Sequence, residues 1–148
     1  MFKWTVSQTV VSQASHQDIW NVWKNVKGWP DWDTHLEWSK LEGDFTLHAK
    51  GSLKPQGMKV HHFTICELTQ DKSFTTSSPL FLTSMLFGHE IKQVNPSLIA
   101  VTHSATVSGF LAPLLYMVMR KNIQKGFKEA LPKLVAIAEQ QSSTGDNA

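Results

Sequence analysis

Residues 111–141, LAPLLYMVMRKNIQKGFKEALPKLVAIAEQQ, form a long stretch of the sequence with a helical pattern. Its apolar residues trace one stripe at helical spacing, formed by Leu115, Val118, Ile123, Phe127, Ala130, Leu134 and Ile137. Its lysines fall mostly on other faces. A helix with such a stripe has to bury it against another layer of secondary structure. This segment therefore predicts a long C-terminal helix that packs on a sheet.

The region before this helix predicts the sheet. Short strand-like segments follow one another from residue 36 to about residue 109, and turn residues separate them at Gly43-Asp44, Pro55-Gln56-Gly57, Gln70-Asp71, Pro79 and Asn95-Pro96. Lys3–Ser12 reads as one earlier strand, and Ser15 with Asp18 begins a helix that "WPDWD" extends by a short turn. The predicted order is β-α-α-β6-α, with about seven antiparallel strands.

Length and composition predict a single domain at residues 1–141 and a disordered polar tail at residues 142–148. The net charge of +2 comes without a run of lysine or arginine, so we expect no nucleic-acid partner. The apolar run "FLAPLLYMVM", residues 110–119, is too short for a transmembrane helix. The N-terminal residues read as a strand and not as a signal peptide, so we expect a cytoplasmic protein.

Two segments resemble a known family. "SHQDIWNVWKNVKGWPDW" looks like the helix pair after the first strand of the START-like superfamily, also called SRPBCC, in its polyketide cyclase/dehydrase and lipid-transport branch. "VTHSATVSGFLAPLL" and the later "LPKLVAIAE" are similar to that branch's last strand and C-terminal helix. The resemblance extends from Trp4 to Glu139.

The resemblance implies an α+β helix-grip fold, in which a curved antiparallel sheet wraps around the long C-terminal helix and leaves an elongated apolar pocket. Members of the superfamily bind lipids, sterols, polyketides or plant hormones. Some catalyse ring closure or dehydration, and a few are partners of ribosomes, chaperones or respiratory quinone. The fold alone leaves the function open.

The tryptophan-rich helices have two interpretations. Trp20, Trp23, Trp29 and Trp32 are expected to plug one end of the sheet as part of the core, because large aromatic side chains dominate protein cores. Alternatively, Trp29 and Trp32 contact a ligand.

His89 and His103 are the candidate catalytic residues. A hairpin that turns around Asn95-Pro96-Ser97 would place them opposite each other on neighbouring strands, because 89 and 103 are equidistant from the turn. Each histidine is two residues from an apolar residue of its own strand, Ile91 or Val101, and therefore lies on the same face as that residue. We therefore expect both histidines to face inward. They are either buried core histidines or a pair that faces a pocket. No third ligand accompanies them, so we expect no metal site.

Other residues complete the candidate ligand site. Polar strand residues, Thr64, Thr76 and Ser84, are candidates for groups that orient a ligand. The start of the last helix is apolar around more than one face, and Leu114, Met117 and Val118 are candidates for the mouth of the pocket. The alternative is that loops and the tryptophan helices cover these three residues.

Three hypotheses for the function remain open. The first is the binding of a small hydrophobic or amphipathic molecule, lipid-, polyketide- or sterol-like, without a cofactor, by a monomer. The second is a cofactor-independent cyclase, dehydratase or isomerase, in which His89 or His103 acts as general acid or base with a pKa near neutrality. The third is an interaction module whose sheet or basic helix contacts a protein or a membrane surface.

Overall fold

The computed structural model describes the backbone of residues 2–146 and the side chains of residues 2–141. Seven strands form one antiparallel sheet: β1 (Lys3–Ser12), β2 (Leu36–Leu41), β3 (Lys50–Pro55), β4 (His61–Thr69), β5 (Ser73–Leu80), β6 (Thr83–Asn95) and β7 (Leu98–Gly109). The helices are α1 (His16–Lys24), a 3-10 helix (Val26–Asp31) and α2 (Ala112–Asp146).

The curled sheet has the strand order β1-β7-β6-β5-β4-β3-β2, so the first and last strands of the chain lie side by side. Helix α2 crosses the sheet and packs on β1, β7 and α1. This arrangement confirms the predicted helix-grip architecture and the element order read from the sequence. Helix α1 follows β1 directly in the chain, and the 3-10 helix packs on β2.

The start of α1 follows from its sequence. The Oγ atom of Ser15 accepts a hydrogen bond from the backbone N–H of Asp18 at 3.1 Å, and the Asp18 carboxylate accepts one from the backbone N–H of Ser15 at 3.1 Å. This reciprocal capping box satisfies two N–H groups that a helix start leaves without partners. The helix then buries Ile19, Trp20 and Trp23 against the sheet and α2.

Two boundaries differ from the sequence prediction. Pro79 lies inside β5, and the turn that follows is formed by Phe81 and Leu82, of which Leu82 has a φ of +54°. Proline is tolerated there because it stands one residue from the end of the strand. Helix α2 continues to Asp146, beyond the predicted end near Gln141. The expected disordered tail, residues 142–148, lies outside the residues whose side chains the structure describes.

Helix α2 has two halves with different packing. The second half is sealed, because Leu131, Leu134 and Ala138 are almost completely buried. In the first half the residues that face the sheet, Leu115, Met119, Ile123 and Phe127, are only half-buried. The predicted stripe was wrong at Val118, which is 63% exposed, and Met119 takes its place against the core. The sheet and α2 are therefore packed less closely near the start of the helix.

No helix among residues 2–146 is both long enough and apolar enough to span a membrane.

Candidate functional site

His89 and His103 are directly paired across β6 and β7, as the hairpin register predicts. Their rings are 4.7 Å apart between centroids and nearly perpendicular, with an interplanar angle of 71°. His103 is only 3% exposed and shares the inner face with Val101 and Ala105. The register thus places two imidazoles side by side on the concave face that α2 crosses.

The partner atoms of the two imidazoles determine which nitrogen carries the proton. The indole N–H of Trp23 donates to Nε2 of His103 at 3.1 Å, so Nε2 is unprotonated and the neutral ring carries its proton on Nδ1. Nδ1 of His89 lies 3.1 Å from the carbonyl oxygen of Phe74. A carbonyl only accepts, so Nδ1 of His89 is the donor and its Nε2 keeps a free lone pair.

Aromatic rings surround the pair, so that His103 is buried and His89 is half-buried. The His89 ring stacks on Phe74 with centroids 3.9 Å apart and an interplanar angle of 5°. Trp23 contacts both imidazoles at 5.7 and 5.9 Å, and Phe127 of α2 lies 5.9 Å from His103. These contacts come from α1, β5 and α2, so three separate elements close around one cross-strand pair.

This burial keeps both imidazoles neutral. Desolvation lowers the pKa of His89 to about 4, and the backbone hydrogen bonds of Phe74 and Phe87 oppose this shift only in part. Desolvation also lowers the pKa of His103 well below its ordinary value, and the neighbouring His89 adds to the effect. Neither histidine therefore has the near-neutral pKa on which the general acid/base hypothesis depends.

Trp32 carries an unpaired polar group beside the histidines. The residue is 5% exposed, and its indole Nε1 is a buried side-chain atom without a hydrogen-bond partner in the described part of the chain. Its ring lies 5.6 Å from the His103 ring. Leaving a buried donor unpaired costs roughly 1–3 kcal/mol. The indole N–H of Trp29, in contrast, donates to the carbonyl of Trp23 at 2.8 Å.

The polar strand residues divide between the two faces of the sheet. Thr76 is buried on the inner face, where it pairs with Phe87 of β6. Thr64 pairs with Ser77 on the opposite face, and the Ser84 hydroxyl lies 3.1 Å from that of Ser108 on that same outer face. Thr64 and Ser84 therefore do not line the interior, because successive residues of a strand alternate between faces.

The predicted mouth residues lie on the outside of α2. Leu114, Met117 and Val118 are all more than half exposed, so neither loops nor the tryptophan helices cover them. They do not line the interior, which the neighbouring Leu115 and Met119 face instead. Trp29 packs in the core, stacked on Phe63 at 5.5 Å. Of the predicted ligand residues, the structure thus brings Trp32, His89 and His103 together, with Trp29 6.2 Å from Trp32 and Thr76 on the same inner face. It separates the other five from them.

The sequence interpretation missed two residues of this site. Trp23 was assigned to the core plug, yet it holds His103 in one tautomer. The Phe74 ring stacks on His89, and the Phe74 carbonyl accepts a hydrogen bond from Nδ1–H of His89. The alternation of β5, with Phe74 and Thr76 on one face, was the available signal for Phe74.

Two surface grooves lie away from the histidine pair. One groove of about 460 Å³ is bordered by Lys24–Lys27, Leu41 and Gly43–Phe45, and another of about 540 Å³ by Leu82–Ser84 and Ser108–Phe110. Neither groove includes a histidine. Within the described residues, no group of three or more His, Cys, Asp or Glu side chains is placed to hold a metal ion.

Comparisons with solved structures identify the fold. The chain is similar to norcoclaurine synthase from Thalictrum flavum in complex with dopamine and hydroxybenzaldehyde, with a TM-score of 0.72, 12% identity and coverage of 96% of this chain and 88% of that chain. It is similar to the Zhui aromatase/cyclase from a Streptomyces species, with a TM-score of 0.76, 11% identity and coverage of 95% and 96%.

A START superfamily protein from Mycobacterium smegmatis is also similar, with a TM-score of 0.68, 15% identity and coverage of 93% of this chain and 98% of that chain. No family model and no curated protein sequence matches the chain. The chain therefore has the START-like, polyketide cyclase fold that the sequence resemblance implied.

Proposed function

We propose that this protein binds a small, neutral, largely apolar molecule between the sheet and the first half of α2, with one oxygen atom of the ligand at the histidine pair. The observation that carries the proposal is the buried, unpaired indole N–H of Trp32 next to His103. A buried donor without a partner is uncommon in proteins, and a ligand oxygen would supply the missing acceptor.

The polar groups of the site define the chemistry of that oxygen. Nε2 of His89 is an acceptor, while Nδ1–H of His103 and Nε1–H of Trp32 are donors. A hydroxyl group both donates and accepts, and a carbonyl oxygen accepts two hydrogen bonds. Both groups therefore match the site.

The charge of the site favours a neutral ligand. Both histidines are neutral at pH 7, and the side chains that contact them, Trp23, Trp32, Phe74 and Phe127, carry no charge. A carboxylate placed here would be buried without a compensating cation, which costs far more than burying a hydrogen-bonded hydroxyl.

The apolar part of the ligand is proposed to cover the half-buried residues of α2. Leu115, Met119 and Ile123 face the sheet without being sealed against it, and methionine adapts its shape to different ligands. Lipid-, polyketide- or sterol-like molecules have this combination of a large apolar body and a single oxygen. Because α2 uses this face internally, we propose that the protein binds its ligand as a monomer.

Acid/base catalysis receives less support. A base with a pKa of about 4 is a weak proton acceptor at neutral pH, and desolvation shifts His103 in the same direction. Norcoclaurine synthase and the aromatase/cyclase share 12% and 11% identity with this chain, so their similarity extends to the fold and not to the reaction.

Calorimetric titration with two probes of the same shape tests the proposal. At pH 7.5, 2-naphthol is neutral and 2-naphthoate is ionised, so 2-naphthol should bind at least about tenfold more tightly. The Trp32→Phe variant loses one donor and should bind 2-naphthol about five- to tenfold more weakly. Equal affinity for the two probes, or no effect of Trp32→Phe, would contradict the proposed site.

A pair of helix variants tests where the apolar part binds. Ile123→Trp fills the inner side of α2 and should abolish binding of 2-naphthol, whereas Val118→Trp adds the same ring on the exposed side and should leave it unchanged. Circular dichroism checks that both variants fold. Loss of binding in Val118→Trp alone would move the site to the outside of the helix.

A further inference from the structure

Seven of the large exposed apolar side chains in the described part of the chain gather at one end of the sheet. This apolar tip consists of residues from the chain start, the β5–β6 turn, the end of β7 and the first turns of α2: Phe2, Phe81, Leu82, Phe110, Leu114, Met117 and Val118. Phe81, Phe110 and Met117 are about four-fifths exposed, at 80%, 79% and 82%. Monomeric proteins seldom expose large apolar side chains in such a group without a function.

Backbone hydrogen bonds hold the segments of the tip together. The N–H of Gly109 donates to the carbonyl of Phe2 at 2.9 Å, and the N–H of Phe110 donates to the carbonyl of Leu82 at 3.2 Å. Gly109 has a φ of +128°, and a Cβ atom there would meet the Leu82 carbonyl at 2.7 Å. This glycine therefore allows the β5–β6 turn and the start of α2 to project side by side.

The charged residues nearest in the sequence to Phe2 and to the first turns of α2 have one sign. No Asp, Glu, Lys or Arg occurs in residues 73–89 or 93–119, which include most of the tip. Lys3 follows Phe2 directly, and the first charged residues of α2 are Arg120, Lys121, Lys125 and Lys128, all before the first acid, Glu129. The tip is thus an uncharged apolar surface bordered by cations.

A second copy of the chain does not match this surface. A symmetric dimer through the tip would bring Lys3, Arg120 and Lys121 of one protomer close to the same residues of its partner. Like charges at an interface disfavour association. An anionic lipid bilayer matches both properties, because it offers hydrocarbon to the apolar side chains and negative headgroups to the cations.

We propose that the apolar tip inserts into the surface of a bilayer that contains anionic lipids, with Lys3, Arg120 and Lys121 at the headgroups. The inference stands independently of the ligand proposed above. In this orientation the loosely packed first half of α2 lies next to the bilayer.

Co-sedimentation with vesicles tests the inference, using phosphatidylcholine alone and phosphatidylcholine with 30% phosphatidylserine, a composition set by the experiment. The protein should bind the anionic vesicles at least about tenfold more tightly than the neutral ones, and added salt should weaken this binding. Phe110→Glu combined with Met117→Glu should reduce binding to anionic vesicles by more than about tenfold. Lys121→Glu should reduce it by about tenfold or more, since it reverses one charge.

Val94→Glu is the control, because Val94 is an exposed apolar residue near the β6–β7 turn at the other end of the sheet. It should leave vesicle binding unchanged, and circular dichroism checks the fold of each variant. Absence of binding to anionic vesicles, or equal loss in Val94→Glu, would overturn the inference. A dimer in sedimentation that Met117→Glu dissociates would overturn it in favour of a second copy as the partner.

Discussion

Acid should destabilise this protein through His89, and the effect can be isolated with one substitution. Burial lowers the pKa of His89 to about 4, whereas in the unfolded chain the pKa returns to about 6.5. As the pH falls below 6.5, the unfolded state takes up a proton that the folded state excludes. The stabilisation that depends on a neutral His89 is therefore complete above pH 6.5 and is lost progressively towards pH 4.

The size of the effect follows from the two pKa values. At pH 5 the unfolded state has bound nearly one more proton at this site than the folded state, which lowers the free energy of unfolding by about 2 kcal/mol relative to pH 7.5. The His89→Asn variant removes the titrating group, and the Asn Nδ2 can still donate to the Phe74 carbonyl that Nδ1 of His89 contacts.

Urea unfolding at pH 7.5 and pH 5, followed by circular dichroism, measures the difference. Between these two pH values the wild-type protein should lose about 2 kcal/mol more stability than His89→Asn. The other histidines and the carboxylates are common to both proteins, so their contributions largely cancel. If the two proteins lose equal stability, His89 is not desolvated and the proposed polar site is wrong.

Three further substitutions have expected outcomes. Trp29→Phe should destabilise the protein by about 1–2 kcal/mol more than Trp32→Phe, because only Trp29 donates its indole N–H to a partner. Thermal or urea unfolding compares the two variants. Equal losses of stability would contradict the assignment of Trp32 as unpaired. Ser15→Ala should lower the free energy of unfolding by about 1 kcal/mol, because it removes the capping box of α1. Ser15→Asn should keep most of that stability. An unchanged urea midpoint in Ser15→Ala would contradict this role of Ser15. Gly51→Ala should destabilise the sheet, because a Cβ atom there would lie 2.3 Å from the Phe63 ring and 2.7 Å from the Lys40 carbonyl. A melting temperature equal to that of the wild type would refute this packing argument.

The sequence predicted the features that depend on local spacing. The predicted hairpin placed His89 opposite His103, and alternation placed both on the inner face. The pairing reaches this register through a bulge between Gln93 and Asn95, because Asn95 itself pairs with Leu98. The same alternation argues against Thr64, since its neighbours Phe63 and Ile65 are the buried residues of β4. Choosing polar strand residues by type, without regard to the face, therefore placed Thr76 correctly and Thr64 and Ser84 wrongly.

Features that depend on distant contacts could not be read from the sequence. Trp23 and His103 are separated by 80 residues, and their hydrogen bond forms only because α1 packs over β7. The unpaired indole of Trp32 depends on which atoms are absent around it, and no pattern of residue types carries that information. The sequence also predicted the wrong residue of α2 to face the sheet, Val118 instead of Met119. Nearly every residue in that part of the helix is apolar, so the pattern does not distinguish the two.

The indole N–H signal of Trp32 tests the central claim most directly, because the account holds that a ligand oxygen satisfies this buried donor. In a ¹H–¹⁵N spectrum the signal is assigned by its loss in Trp32→Phe. Titration with 2-naphthol should move it downfield as a hydrogen bond forms, while the signal of Trp29, which already donates to the Trp23 carbonyl, should stay in place. Binding of 2-naphthol that leaves the Trp32 signal unchanged would contradict the account.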